Sequence, residues 1–384
     1  MNGMIGAPRW TWGAGAVSAG RLAFVGIALA ACTACDAATT PVAPHSGVAT
    51  AQGLDGNPTG WDLPLMSAGQ LSRAVPGRPC ASASHREFDF WLGDWNINPS
   101  PTGQVGGTNS ITSELDGCLV LESYRASGGV QGSSLNVFDR ETGLWNQTWA
   151  FQIPGAPIGR LRTSGGIVDG MMVLDGTRDA SFRGDPFLFE DEWTWTPTPE
   201  GDVIQTGRTF AGPPFDQVLS SFTGRYVRAD ISPAPALPAE FCNEKSIGAP
   251  TRDGDFLVGD WRVRGERGPQ LATSSVEAEL GRCLLVERFE GKRGLRAVAW
   301  MYWDIWTNEW YYAWVDTRGE RLELSGEYID GSLVFTGAER LRGADVEVRL
   351  TWAPADGGLH QMWEVSRDGG ATWSQGAELH YTPM

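Results

Sequence analysis

Residues 88–95 read FDFWLGDW and residues 254–261 read GDFLVGDW. The chain is therefore an internal repeat, and its register can be followed outward from this pair. Trp95 and Trp261 stand 166 positions apart, and Cys118 and Cys283, Glu122 and Glu287, Phe138 and Trp303, Trp145 and Trp310, and Trp149 and Trp314 all stand 165 apart. Further on, Trp195-Thr196-Pro197 matches Trp352-Ala353-Pro354 at an offset of 157, so the first copy holds about eight extra residues, expected within 178–190. A period this long describes two tandem domains of ordinary size, because solenoid repeats run to about 20–50 residues.

Within each copy the pattern is β. Segments such as CLVLESY, RCLLVERF, VEVRLTW and HQMWEVS are short, alternating and rich in β-branched or aromatic residues, with Gly, Asp and Pro between them. That is the pattern of a sandwich or barrel. Asp139-Arg140-Glu141-Thr142-Gly143 aligns with Asp304-Ile305-Trp306-Thr307-Asn308. Gly and Asn are the residues that best tolerate positive φ, so each segment reads as a hairpin turn capped by its aspartate.

Gly93-Asp94-Trp95 and Gly259-Asp260-Trp261, each opening a domain of this length, resemble the Gly-x-Trp signature of the calycin superfamily of lipocalin-like barrels. More closely, the chain resembles a group of uncharacterised bacterial secreted proteins, classed as domains of unknown function. They share an FDFWxGxW opening, a GCxxxE segment, a WxxxW pair and a WEVSRDGGxTW ending. All four occur in the second copy with some variation, at Phe256–Trp261, Cys283–Glu287, Trp310 with Trp314, and Trp363–Trp373. The first copy keeps three and departs at the last, with Gly207-Arg208 in place of Trp363-Glu364. The resemblance covers about 270 of the 384 residues. It implies an all-β chain of two tandem lipocalin-like (calycin) antiparallel β-barrels, and it implies no activity.

Ahead of the repeat, Arg9 and Arg21 precede the apolar run LAFVGIALAA at Leu22–Ala31, which is too short to span a bilayer and suits a secretory signal. Leu29-Ala30-Ala31-Cys32 matches a bacterial lipobox, so Cys32 is the expected lipidation site. The expected division is a lipoprotein signal peptide at 1–31, a flexible Ala/Gly/Pro/Ser/Thr-rich tether at 32–79, a first barrel at 80–230, a Pro/Ala linker at 231–241 and a second barrel at 242–384. The expected location is the bacterial cell envelope, with a lipid anchor holding the protein to a membrane.

Cysteine usage agrees with export. Cys80 and Cys118 fall in the first copy and Cys242 and Cys283 in the second, so one disulfide per domain is the economical pairing. The formal charge of −16 leaves no basic stripe for nucleic acid, and no Walker A sequence supports a nucleotide enzyme. Four histidines, none but His85 near a cysteine pair, give no zinc motif, so neither metal nor cofactor is expected. Ser366–Trp373 matches the Asp-box of sialidase propellers. It occurs once, however, and the two-domain register contradicts a blade period, so it reads as a strand-to-strand turn.

The remaining signal is aromatic. Trp145, Gln147 and Trp149 share one strand face, as do Trp310, Tyr312 and Trp314. Cys118, Val120 and Glu122 share a face, as do Cys283, Leu285 and Glu287, and an inward carboxylate needs a partner, expected to be an Arg or a Trp N–H. With Trp95, Phe138, Trp261 and Trp303 these aromatic, Gln and Glu residues are the candidate ligand-binding set; no catalytic residue is assigned. The expected function is binding of a small apolar or amphipathic ligand in one or both barrels. The alternatives are a structural or partner-docking module with plugged barrels, and an enzyme on a hydrophobic substrate using Glu122 or Glu287.

Overall fold

The computed structural model describes residues 75, 77–98, 105–153, 156, 158–182, 185–228, 242, 250–265, 269–341 and 344–384. The expected signal peptide, Cys32, the tether up to residue 74 and the linker at 231–241 lie outside the described residues. Ten strands form an antiparallel meander: β1 (Gly93–Asn98), β2 (Gly107–Glu114), β3 (Leu119–Ala126), β4 (Gln131–Asp139), β5 (Leu144–Gln152), β6 (Ile158–Val168), β7 (Met171–Phe182), β8 (Asp185–Pro197), β9 (Val203–Gly212) and β10 (Gln217–Arg228). In β1, Trp95 lies opposite Asn109 of β2 on one side and Arg228 of β10 on the other, which closes the meander into a barrel. Closure makes it compatible with a calycin-like fold, although ten strands exceed the eight of a lipocalin proper.

Ten further strands repeat the order: β11 (Gly259–Gly265), β12 (Gln270–Glu279), β13 (Leu284–Gly291), β14 (Arg296–Asp304), β15 (Glu309–Asp316), β16 (Arg321–Ile329), β17 (Ser332–Leu341), β18 (Ala344–Ala355), β19 (Gly358–Ser366) and β20 (Ser374–Pro383). Here too the first strand pairs with the last, Val263 opposite Tyr381. The cross-strand partners relocate the extra residues of the first copy. Trp149 faces Leu161 where Trp314 faces Leu322, and Met172 faces Trp195 where Leu333 faces Trp352. Four extra residues therefore belong to the β5–β6 connection and four to the β7–β8 hairpin; they are not confined to 178–190.

The repeated octapeptide forms the floor. Two short 3₁₀ turns, Ser84–Arg86 and Asp89–Trp91, place Phe88 and Trp91 inside the end of the barrel where β1 begins. Phe88 stacks on Trp91 at 4.9 Å and meets Trp145 and Trp195 edge-on at 5.5 and 5.2 Å. Gly93, at φ 132°, turns the chain out of this plug, and the Trp95 indole reaches back to donate Nε1–H to the Trp91 carbonyl at 2.8 Å. In the second copy Gly259 has φ 151°, and Trp261 donates to the Leu257 carbonyl at 2.9 Å.

The turns follow the sequence reading. Asp139 Oδ1 accepts the Glu141 N–H and Asp304 Oδ1 the Trp306 N–H, at 2.8 and 2.9 Å, while Gly143 and Asn308 hold φ of 71° and 60°. The Ser366–Trp373 segment joins β19 to β20, with Asp368 accepting both the N–H and the hydroxyl of Thr372. The disulfides are Cys80–Cys118 and Cys242–Cys283, with Cα separations of 4.9 and 5.1 Å. They close loops of 38 and 41 positions, worth about 4 kcal/mol each in the chain-entropy model.

Alternation fails on β14 and β15. Ala297, Ala299, Met301, Trp310, Tyr312 and Trp314 face the inside of their ring of strands. The opposite face carries Trp300, Tyr302, Tyr311, Ala313 and Val315, which are also buried, against Leu119, Leu135, Val137, Ala150 and Ile158 on the outside of the first barrel. A single parallel bridge, Asp304 to Ile158, marks this contact, and Trp306 fits over Gly159, where any side chain would collide with its indole. Beside it Arg160, 10% exposed, pairs at 2.9 Å with Asp304, 1% exposed, and its guanidinium lies 4.0 Å from the centre of the Tyr311 ring. Burial alone would raise the neighbouring Glu323 carboxyl, but Arg162, Arg321 and the Thr148 hydroxyl hold it down at about 2. Replacing Arg160 with leucine would leave Asp304 buried without its counter-charge. Arg160→Leu is expected to cost about 3–5 kcal/mol in urea melts, and a loss under about 1 kcal/mol would show the pair to be dispensable.

Candidate functional site

Inside the first barrel, inward side chains of β3, β5, β6, β8, β9 and β10 leave a small cavity of about 40 Å³ that is open to solvent at its mouth. Its walls are Tyr124, Trp149, Leu161, Trp193 and Phe222, with Glu122, Gln147, Gln205 and Tyr226 as polar lining. Phe88, Trp91, Trp145 and Trp195 seal the floor, so the opening lies at the other end, where the β3–β4, β5–β6, β7–β8 and β9–β10 hairpins turn.

The second ring shows why the first has room. Equivalent positions follow from the cross-strand partners, and at several the first ring is smaller or more polar. Ser134, Asn136, Gln147 and Thr163 stand where the second has Ala299, Met301, Tyr312 and Leu324. Leu174 replaces Phe335, and Gly207 replaces Trp363. Trp193 partly compensates by packing across Gly207, where a Cβ would meet its six-membered ring. In the second ring Trp310, Tyr312, Trp314, Phe335, Trp352 and Trp363 belong to one packed core.

Glu122 is the chemical centre of the cavity. It is 3% exposed, yet both carboxylate oxygens are bonded: Asn109 Nδ2 donates to Oε1 and Ser134 Oγ to Oε2, each at 2.6 Å. The network continues through Asn136 Nδ2 to Ser134 Oγ and Gln147 Nε2 to Asn136 Oδ1, both at 2.8 Å. Tyr226 donates its hydroxyl to Gln205 Oε1. Among the described residues, the Trp193 Nε1–H, the Asn109 Oδ1 and the Thr163 hydroxyl are buried without a protein partner. Burial raises Glu122 to about 7 against the pull of the Ser134 and Asn109 bonds. Glu287, wholly buried, is likewise raised to about 7 by burial, opposed by Ser274, which donates to Oε1 at 2.7 Å, and by the Tyr381 hydroxyl.

The structure brings Glu122, Gln147 and Trp149 together at one cavity. The other expected residues lie elsewhere. Trp95 and Trp145 belong to the floor, and Phe138 packs at its edge against His85 and Trp145. Trp261, Trp310, Tyr312 and Trp314 fill the second core, Trp303 flanks it, and Glu287 is buried with them. Two expectations change. The partners of the glutamates are amide and hydroxyl groups, because short side chains one strand away reach the carboxylate directly. Cys118 and Cys283 do not share the inward face of Glu122 and Glu287; each precedes its strand and packs in the cluster outside the barrel. Asn109, Tyr124, Ser134, Asn136, Trp193, Gln205, Phe222 and Tyr226 were missed. The signal that would have found them is strand parity carried from Glu122 across the paired copies.

Among the described residues one further cluster of metal-ligating type forms: His360, Glu378 and His380, on β19 and β20. No protein-family model matches the chain, and no curated protein matches it.

The raised glutamates make stability depend on pH. Between about 4.5 and 7 the unfolded chain releases protons that folded Glu122 and Glu287 keep, so stability falls as pH rises, by roughly 3 kcal/mol for each. Glu122→Gln is expected to remove about half of that combined fall, read from denaturant melts between pH 4.5 and 8. An unchanged pH profile would mean that Glu122 is not held protonated.

Proposed function

We propose that this chain is an exported, lipid-anchored envelope protein of two tandem calycin-like barrels, the first of which binds a small amphipathic ligand. The observation that carries the reading is the cavity of the first barrel: aromatic walls and a buried carboxylate set between two donors. Its enclosed space is small beside an ordinary small-molecule pocket, so an occupant would sit partly in the open mouth. An apolar body would lie against Tyr124, Trp149, Trp193 and Phe222, and a polar end bearing a donor would reach Glu122. Aromatic side chains offer large contact area with little entropy to lose. Binding fits better than catalysis because the hydrogen-bond partners of Glu122 are an amide and a hydroxyl, neither of which exchanges protons near neutral pH. The second ring, filled by its own tryptophans, serves as support for the first.

The test compares equivalent tryptophans with a neutral naphthylamine dye. The wild type is expected to bind one dye saturably, and Trp149→Ala to weaken it about tenfold, or ~1.4 kcal/mol. Trp314→Ala should leave dye affinity unchanged and instead cost about 3–5 kcal/mol of stability, as a hole in a packed core does. Absence of saturable binding, or equal effects of the two changes, would remove the ligand reading. The anchor is tested separately: Cys32→Ser should move the protein from the membrane fraction to the soluble one, and unchanged fractionation would refute lipidation at Cys32.

A further inference from the structure

We propose that His360, Glu378 and His380 form a binding site for one divalent transition-metal ion, zinc(II) foremost, on the outer face of the β19–β20 hairpin. The histidines are 20 positions apart, but the register places them directly opposite each other, with Glu378 two positions before His380 on the same face. Their rings lie 5.2 Å apart. Both Nε2 atoms aim at one oxygen: His360 stands 2.9 Å and His380 3.7 Å from Glu378 Oε1.

Zinc–nitrogen and zinc–carboxylate bonds of about 2.0–2.2 Å in a tetrahedron hold ligand atoms roughly 3.3 Å apart. The observed 2.9 and 3.7 Å straddle that spacing, and all three donor atoms lie within 4.8 Å of one another. Gln375 Nε2 donates to the other oxygen, Oε2, at 2.9 Å, which orients the carboxylate as outer partners of metal ligands do. All three side chains are about one quarter to one third exposed, so a hydrated ion can reach them and keep water in the remaining position. Three protein ligands with an open fourth position are the pattern of a reactive rather than a closed structural zinc site.

Charge also favours an ion here. Two imidazoles held side by side repel when both are protonated, and one carboxylate can neutralise only one of them. A divalent cation uses both neutral rings and the carboxylate at once, and imidazole with carboxylate suits zinc, copper or nickel. The net charge of −16 draws cations to the surface in general. Arg264 of β11, the cross-strand neighbour of His380, is exposed and opposes binding through its positive charge.

The experiment uses the full chain, purified without a histidine tag and stripped with chelator, titrated with zinc(II) and then cobalt(II). Expected are a zinc site with a dissociation constant on the order of 1 μM and visible cobalt d–d bands. His360→Ala or His380→Ala should each weaken that site about a hundredfold and abolish the bands, and Gln375→Ala should weaken it about tenfold. Arg264→Ala should tighten it. Melting temperatures in chelator should be unchanged by all four, so lost binding cannot be lost folding. A His360→Ala/His380→Ala variant that binds zinc as the wild type does, or a wild type without cobalt bands, would overturn the proposal.

Discussion

Closure of the strand ring on its own first strand is the constraint from which the rest follows. An open ten-strand meander would expose two edges and leave its inward aromatics in water. The plug removes both problems at one place. Trp95 sits between β2 and β10, its indole N–H bonded to the Trp91 carbonyl and its ring covered by the Arg228 guanidinium at 4.4 Å. Gly93 makes this possible twice over: it adopts a positive φ, and its missing side chain leaves the space that the Arg228 guanidinium occupies. In the second ring Gly254 takes the place of Phe88, and Leu285, Trp310 and Leu333 close over it. The octapeptide is written twice because each ring needs its own floor.

Once a ring is closed its circumference is set, and the inward positions must fill what they enclose. The two copies differ in that filling. Interchanging polar and apolar residues at four inward sites, together with loss of the Trp363 indole at Gly207, separates a cavity from a packed core. The shared glutamate is therefore no marker of a cavity. The marker is what surrounds it.

Much of the architecture was legible. Trp95 with Trp261 and Cys118 with Cys283 set the register, alternation identified strands, and the Asp139 and Asp304 turns could be read residue by residue. Two kinds of information were not legible. The parity of a strand does not say which face is inside until the ring closes, so Trp149 and Trp314 looked alike although one lines a cavity and the other a core. Contacts between distant segments were hidden as well. WMYW and WYYAW are apolar at consecutive positions because both faces of β14 and β15 are buried, and that doubled burial was a readable sign of an outer contact. The Arg160–Asp304 pair gave no such sign, since its two charges lie far apart in the chain. His360 and His380 likewise meet only through the β19–β20 register.

The carboxylates show how one repeat unit is put to two uses. A buried glutamate that titrates near 7 costs stability at neutral pH, and both rings bear that cost. In the second ring Glu287 has Ser274 on Oε1 and the Tyr381 hydroxyl beside it. In the first ring Asn109 stands in the place of Ser274, and Ser134 in the place of Ala299, so both oxygens are held. The second donor fixes the plane of the Glu122 carboxyl, and the Asn136–Gln147 chain fixes the donor in turn. An acceptor already oriented in this way loses little freedom when a ligand arrives, so more of the contact energy remains as affinity. Two of the polar residues that make room in the first ring, Asn136 in place of Met301 and Gln147 in place of Tyr312, thus also hold its carboxylate in place through Ser134, while Gly207 in place of Trp363 supplies room alone.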